Sequence, residues 1–403
     1  MSAERGAVLV VNGGSSSIKF AIFGSDLTPV LHGKIGGIGV HPHISIRRAD
    51  GASLADDDWG ASAATSLGAL IGLLGDWLSE HLRDTPLAAI GHRVAIGGLE
   101  HSGPVVLTPE VIDNLRSYIP LAPLHQPINL ALIEAMGEAF AQVPQVACFD
   151  TAFHRTLPPE AEAYALPASL REAGASRYGF HGLSYEYIAS QLARLGQGAA
   201  TGRTVVAHLG SGASMCALQD GRSIATTMGF SPLSGLVMGT RSGDLDPGLM
   251  IWMIREQGLG VDQVERMLYS ESGLKGLSGQ TGDMGDLLQS DAPAASFAID
   301  VFTYRVATAL GSLCAALGGI DALIFTAGIG ENSPAVRAAI CDRAAWLGVR
   351  IDPQANEANA PCISSKDSAV SVWVLPTQEE LMVARHTLRL VFGEGANSQR
   401  VAS

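Results

Sequence analysis

Along the chain, apolar β-branched runs repeatedly flank short loops of glycine and serine. AVLVV and IKFAIF enclose Asn12–Lys19, and TVVAHL and SMCAL enclose Gly210–Ser214, with about 195 residues between the two. The shared order of strand, small-residue loop and strand is a short internal echo, which predicts two similar domains. GKIGGIGV and HISIRR continue the strands of the first half. Leu67, Leu70, Ile71, Leu74, Trp77 and Leu78 recur at i, i+3, i+4 and i+7, predicting a helix from about Ala63 to Leu82. TPEVIDNLRSYI predicts a helix with Thr108 as cap and Pro109 at its first position. PINLALIEAMGEAF reads as another, and VPQVACFD as a buried strand ending on Asp150. In the second half, Ala294–Leu317 is the clearest helix. DALIFTAGIGENSPAVRAAI predicts a strand, a glycine loop and a helix opened by Ser333 and Pro334. VSVWVLPT reads as a strand and EELMVARHTLRLVF as an amphipathic helix. The pattern is that of an α/β protein.

The 403 residues are 47% hydrophobic and 16% charged, enough for a large core and for two domains. A net charge of −13 argues against nucleic acid or an anionic membrane as partner. No signal-peptide pattern and no apolar run of membrane-spanning length is evident, so a cytoplasmic protein is expected. The five cysteines form no CxxC pair, and four lie in or beside apolar runs, predicting buried free thiols.

Glycines let backbone N–H groups converge on an anion, and serine hydroxyls add donors without bulk. Three loops have this character: Asn12–Lys19, Gly210–Ser214 and Gly328–Ser333. Any one of them is also what an ordinary turn looks like; three together point to a polyphosphate ligand. None matches a Walker A motif or a complete GxGxxG. Arg93 in GHRVAIGG and Arg241 in GLVMGTRSGDLDPG sit among glycines, suited to bidentate recognition of carboxylate or phosphate or simply to a surface loop. Asp150 is an acid candidate or a helix cap, and His181 in YGFHGLS an active or a core histidine. His125 and His208 read more as core histidines. There is no zinc-type Cys/His cluster and no GxSxG elbow.

Taken together, VVNGGSSSIKF, GHRVAIGG, APLHQPINL, CFDTAFH, RYGFHGLS, HLGSGAS, TTMGFSPLSGLVMGTRSGDLDPG, FTAGIGENS and PTQEELMVAR resemble the acetokinase family in content and order. That family belongs to the acetate and sugar kinase, actin and heat-shock chaperone superfamily. The resemblance implies two duplicated ribonuclease-H-like domains with a ligand cleft between them. The first would comprise residues 1–150 plus a returning 385–403, the second 151–384. It implies reversible in-line phosphoryl transfer from ATP to acetate, giving ADP and acetyl phosphate, with Mg²⁺ or alternatively Mn²⁺, in a homodimer. Propionate and butyrate kinases share the grammar. A non-catalytic, actin-like ATP-binding protein is the reading from another class.

Carried over by position, Asn12 and Glu379 match the metal-associated sites and Lys19 a nucleotide-phosphate site. Arg93 matches the carboxylate-binding position, and Asp150, His181 and Arg241 the catalytic ones. Val94, Leu124, Phe180 and Pro232 match the pocket around the acetate methyl. His208, Leu209, Gly210, Ser211 and Gly212, then Asp283, Met284 and Gly285, then Gly328, Ile329, Gly330, Glu331 and Asn332 match the nucleotide loops. Acetate is ionised at neutral pH and needs no general base, so Asp150 is expected to act through the metal and by orienting its neighbours. The chain departs from the family's usual residues at Ser211 (Asn), Ile96 (His), Leu183 (Thr), Tyr185 (His) and Gly285 (Arg). The loss of a cation beside the base predicts a relaxed preference for adenine.

Overall fold

The computed structural model describes residues 6–14, 17–38, 41–59, 67–81, 86–123, 125–196 and 202–393. The chain groups into two compact units, Met1–Ala152 with Gln378–Ser403 (unit 1) and Phe153–Thr377 (unit 2).

Unit 1 is built on one sheet. Its strands are β1 (Ala7–Gly13), β2 (Ser17–Phe23), β3 (Pro29–Gly36), β4 (His43–Arg48), β5 (Ser53–Asp58), β6 (Leu87–Val94), β7 (Val105–Val106) and β8 (Gln145–Phe149). Their spatial order is β5-β4-β3-β2-β1-β6-β8-β7. Three described helices join them: α1 (Leu67–His81), α2 (Pro109–Ser117) and α3 (Gln126–Ala139). Alternation sends Leu9, Val11, Ile18, Phe20 and Ile22 to one face, where they pack with Leu70, Ile71, Leu74 and Met136 of α1 and α3. The C-terminal helix, Glu379–Phe392, packs on β1, β6 and β8. It sits so close that a Cβ on Gly91 would fall 2.3 Å from Thr387 Oγ1 and 2.6 Å from Val383 Cγ1, which is why glycine stands there. The outer strand β5 carries Asp56, Asp57 and Asp58, a charged edge that discourages further strand pairing.

Unit 2 repeats the design. Its strands are β9 (Arg203–Leu209), β10 (Ala213–Gln219), β11 (Arg222–Thr226), β12 (Ala322–Thr326) and β13 (Ser371–Val374), in the order β11-β10-β9-β12-β13. β9 pairs antiparallel with β10 and parallel with β12, as β1 pairs antiparallel with β2 and parallel with β6. The five strands β3-β2-β1-β6-β8 therefore have the order and polarity of β11-β10-β9-β12-β13. Its principal helices are α4 (Gly182–Gln191), α5 (Pro247–Arg255), α6 (Met284–Leu288), α7 (Pro293–Leu317), α8 (Ala327–Asn332) and α9 (Pro334–Arg343). Tyr185 and Ile188 of α4 pack with Val206, Cys216 and Ile324, and α7 packs on β9, β10 and β11.

Several sequence expectations change form. Asn12 and Lys19 are strand residues, not loop residues, because β1 runs to Gly13 and β2 resumes at Ser17. Ser214 is likewise inside β10. Gly328–Asn332 is helical, part of a helix that begins at Ala327 directly after β12. By length and composition α7 is also apolar enough to cross a membrane, although Asp300 and Arg305 interrupt its apolar run. Its buried stripe (Ala298, Phe302, Val306, Leu310, Leu313 and Leu317) follows helical spacing, as expected of a helix lying on a sheet. Cys148, Cys216, Cys314 and Cys341 are buried free thiols, whereas Cys362 is exposed.

Candidate active site

In unit 1, register brings the chemistry together. Lys34 pairs with Lys19, Lys19 with Asn12, and Asn12 with Arg93, so residues far apart in sequence share one face in a single row. Asp150 follows β8 directly, its N–H donating to Val94 O at 3.0 Å. Arg93 grips Asp150 with two bonds, Nε to Oδ1 at 3.0 Å and Nη2 to Oδ2 at 2.7 Å. Its Nη1 donates to Asn12 Oδ1 at 3.4 Å, and Glu379 Oε2, on the first residue of the C-terminal helix, lies 3.4 Å from Nε. Burial pushes the Asp150 carboxyl up to about 6; Arg93 opposes this and Glu379 adds to it. Burial also works against the charge on Arg93, but Asp150 and Glu379 together outweigh it and raise its pKa above the ordinary value. The result is a planar cation ringed by carboxylate and amide oxygens. Lys19 lines a groove beside it with Lys34, Arg47 and Glu380. Val94 is wholly buried in the unit 1 core, and Leu124 lies outside the described residues.

In unit 2, the β9–β10 hairpin carries Gly210, Ser211 and Gly212. A Cβ on Gly212 would sit 3.3 Å from His181 Nε2 and 3.8 Å from Arg241 Nη1, so both side chains converge on the glycine hairpin. Gly239 N donates to Ser211 O at 3.0 Å, and a Cβ on Gly282 would lie 2.5 Å from Gly239 O. A Cβ on Gly210 would lie 4.0 Å from Gly328 N. Three of the expected nucleotide segments, 208–212, 283–285 and 328–332, thus lie close around one hairpin. Arg241 Nη1 donates to Pro232 O at 3.0 Å. Phe180 and Pro232 are buried in the same unit.

The geometry also qualifies single residues. Glu331 folds back so that Oε1 accepts from Ala327 N at 2.7 Å and Thr377 N at 3.2 Å, filling the start of α8 with an internal carboxylate. Gly328, where an added Cβ would meet nothing within 4 Å, is the open part of that segment. Asp283 caps α6, its Oδ1 accepting from Asp286 N at 3.1 Å. Two non-glycine residues here have left-handed backbones, His181 (φ 58°) and Ala327 (φ 64°), a local strain that clusters at functional sites.

Sequence reasoning passed over three supports. Ser214 Oγ lies 2.8 Å from His181 Nδ1. His154 Nε2 lies 3.0 Å from Phe180 O, and burial pushes its pKa down to about 4. Arg337, fully buried, donates to Gly330 O and Glu331 O at 2.9 Å each and to Asn356 and Asn359. β10 is buried along nearly its whole length and has no polar–apolar alternation to mark Ser214, and nothing local marked Arg337.

Two sheets of one topology, one bearing an Arg–Asp–Glu cluster and the other a glycine hairpin flanked by His and Arg, define the duplicated, actin-like class of α/β phosphotransferase. Within it, the chain belongs to the acetokinase family, whose model matches residues 7–385. It is 51% identical over 396 residues to a protein named acetate kinase from Rhodopseudomonas palustris, covering 96% of this chain and 98% of that one. A propionate kinase from Francisella tularensis subsp. tularensis matches with TM-score 0.89 and 36% identity over 95% of this chain and 99% of its own. Porphyromonas gingivalis acetate kinase matches with TM-score 0.86 and 32% identity over 96% and 100%.

Proposed function

We propose that this protein is an acetate kinase, moving the γ-phosphoryl of ATP reversibly to acetate to give acetyl phosphate and ADP. The observation that carries the reading is Arg93, a cation held in a fixed plane by Asp150 beside the amide of Asn12. A pure nucleotide-binding protein has no need of such a carboxylate clamp. Transfer between two anions needs positioning and charge neutralisation more than covalent help. Arg93 would bind the acetate carboxylate. His181 and Arg241 would donate to the phosphoryl oxygens where transition-state charge spreads. Lys19 and the segments 208–212, 283–285 and 328–332 would hold ATP.

Asn12, Glu379 and Asp150 offer hard oxygen donors, the chemistry that Mg²⁺ prefers, with Mn²⁺ as the alternative. No group of three or more His, Cys, Asp or Glu among the described residues is arranged as a ready metal cage. Bound by those oxygens, the cation would neutralise phosphate charge.

A cytoplasmic homodimer completes the reading. On α5, Leu249, Met250, Ile251, Trp252 and Ile254 are 39–51% exposed, a contiguous apolar surface of the kind found at interfaces. Hydroxylamine trapping of acyl phosphate, run with acetate, propionate and butyrate, tests the activity. Acetate is expected to be preferred. A propionate preference would install the second reading, favoured by the Francisella match, and no product from any acid would refute kinase function.

A further inference from the structure

The hydrogen bonds behind His181 set which of its two ring nitrogens can donate. His181 Nδ1 lies 2.8 Å from Ser214 Oγ, and the same oxygen lies 2.5 Å from the Tyr185 hydroxyl. Tyr185 and Ser214 are both fully buried. The other ring nitrogen, Nε2, is the one that approaches Gly212 beside Arg241. The His181 ring stacks on His208, with centroids 4.2 Å apart and 21° between planes, and His208 Nδ1 lies 2.8 Å from Ser184 Oγ.

A serine hydroxyl has one proton to give, and here it stands between a phenol and an imidazole. The phenol is the more acidic hydroxyl, and an unprotonated imidazole nitrogen is the better acceptor. The favoured order is therefore Tyr185 O–H to Ser214 Oγ, then Ser214 O–H to His181 Nδ1. That order leaves the His181 proton on Nε2, facing the glycine hairpin. The opposite tautomer would present a lone pair to phosphate oxygens and repel them.

We propose that Tyr185 is a positioning residue which, through Ser214, holds His181 as its neutral Nε2–H tautomer, a hydrogen-bond donor aimed at the transferring phosphoryl group. The inference rests on the kinase reading of His181 given above. A phenol suits the role because it keeps its proton throughout the range in which an imidazole titrates.

The test uses the full-length enzyme with ¹⁵N-labelled histidine rings, the His181 signals being assigned by their loss in His181→Ala. The wild-type protein is expected to show protonated Nε2 and bare Nδ1, and Tyr185→Phe a mixture of tautomers. Tyr185→Phe should lower kcat about tenfold while KM for ATP and acetate moves less than twofold, marking an effect confined to the transition state. Ser214→Ala should do the same, and Tyr185→Phe should cost nothing further in a His181→Ala background. An unchanged tautomer in Tyr185→Phe overturns the proposal, as does an equal kcat loss with and without His181. If His181→Ala itself leaves kcat intact, the kinase role of His181 fails instead, and the ring signals still decide the tautomer.

Discussion

Replacing Arg93 by methionine keeps an unbranched apolar stem and removes the charge. In the native protein the guanidinium bonds both oxygens of Asp150 and lies 3.4 Å from Glu379, with the two carboxylate side chains only 6% and 16% exposed. At an effective dielectric near 20, one such pair about 4 Å apart is worth roughly 4 kcal/mol. Orphaning a buried partner costs about 3–5 kcal/mol. The cost depends on pH because Asp150 already titrates near 6, above the 3.8 of an unperturbed aspartate. A carboxyl whose pKa is higher folded than unfolded keeps a proton that the unfolded chain gives up, so its contribution to stability is lost as pH rises from about 4 to 6. Without Arg93 that window extends upward. The penalty should therefore be full at pH 8, a fall of roughly 6–20 °C in the unit 1 transition, and smaller at pH 5, where Asp150 is neutral. Scanning calorimetry of metal-free wild type, Arg93→Met and Arg93→Met/Asp150→Asn at both pH values measures it. The double variant should regain most of the loss at pH 8. Equal losses at pH 5 and pH 8, or no recovery in the double variant, would refute the electrostatic account.

Asp150→Asn should lower kcat about 100-fold and be partly rescued by added Mg²⁺. In the wild type, the acidic limb set by Asp150 near pH 6 should move to lower pH as Mg²⁺ rises, since cation and proton compete for one carboxylate; a limb indifferent to metal would count against this role. Gly285→Arg, at an exposed position of α6, should raise the ATP-to-GTP ratio of kcat/KM about tenfold through stacking on the base. An unchanged ratio would remove Gly285 from the specificity argument. Arg337→Lys retains the charge but cannot reach all the oxygens the guanidinium serves, so KM for ATP should rise about tenfold and stability fall by about 3 kcal/mol. Normal KM in a destabilised protein would make Arg337 purely structural.

What could be read along the chain was whatever obeys local rules. The C-terminal helix spans Glu379–Phe392, the same residues as its amphipathic pattern, and Thr108 caps α2, with Oγ1 accepting from Val111 N at 3.3 Å. α7 begins one residue before its expected start. The assembled row Lys34–Lys19–Asn12–Arg93 was not legible, because it depends on the parallel register between β1 and β6, which no local pattern encodes. The helical form of 328–332 was hidden by its two glycines, which favour a loop on propensity alone. The back-folded Glu331 is a tertiary choice, since the amide of Thr377 shares it from 46 residues away. The hairpin echo proved to be part of a five-strand correspondence.

The grouping of Glu379–Phe392 with unit 1 has a consequence for biosynthesis. Unit 2 lies wholly between the two pieces of unit 1, so on the ribosome it emerges complete before unit 1 does. Between synthesis of Arg93 and synthesis of Glu379 pass roughly 15–60 s at ordinary elongation rates. During that time the sheet surface around Gly91 lacks the Val383 and Thr387 that cover it, and Arg93 lacks one of its two carboxylates. The nascent chain thus carries an uncovered apolar face until Glu379–Phe392 docks, a window in which a chaperone would find its substrate. The segment that seals this face also delivers Glu379, so unit 1 acquires its complete charge cluster in the same event that ends its vulnerability to aggregation.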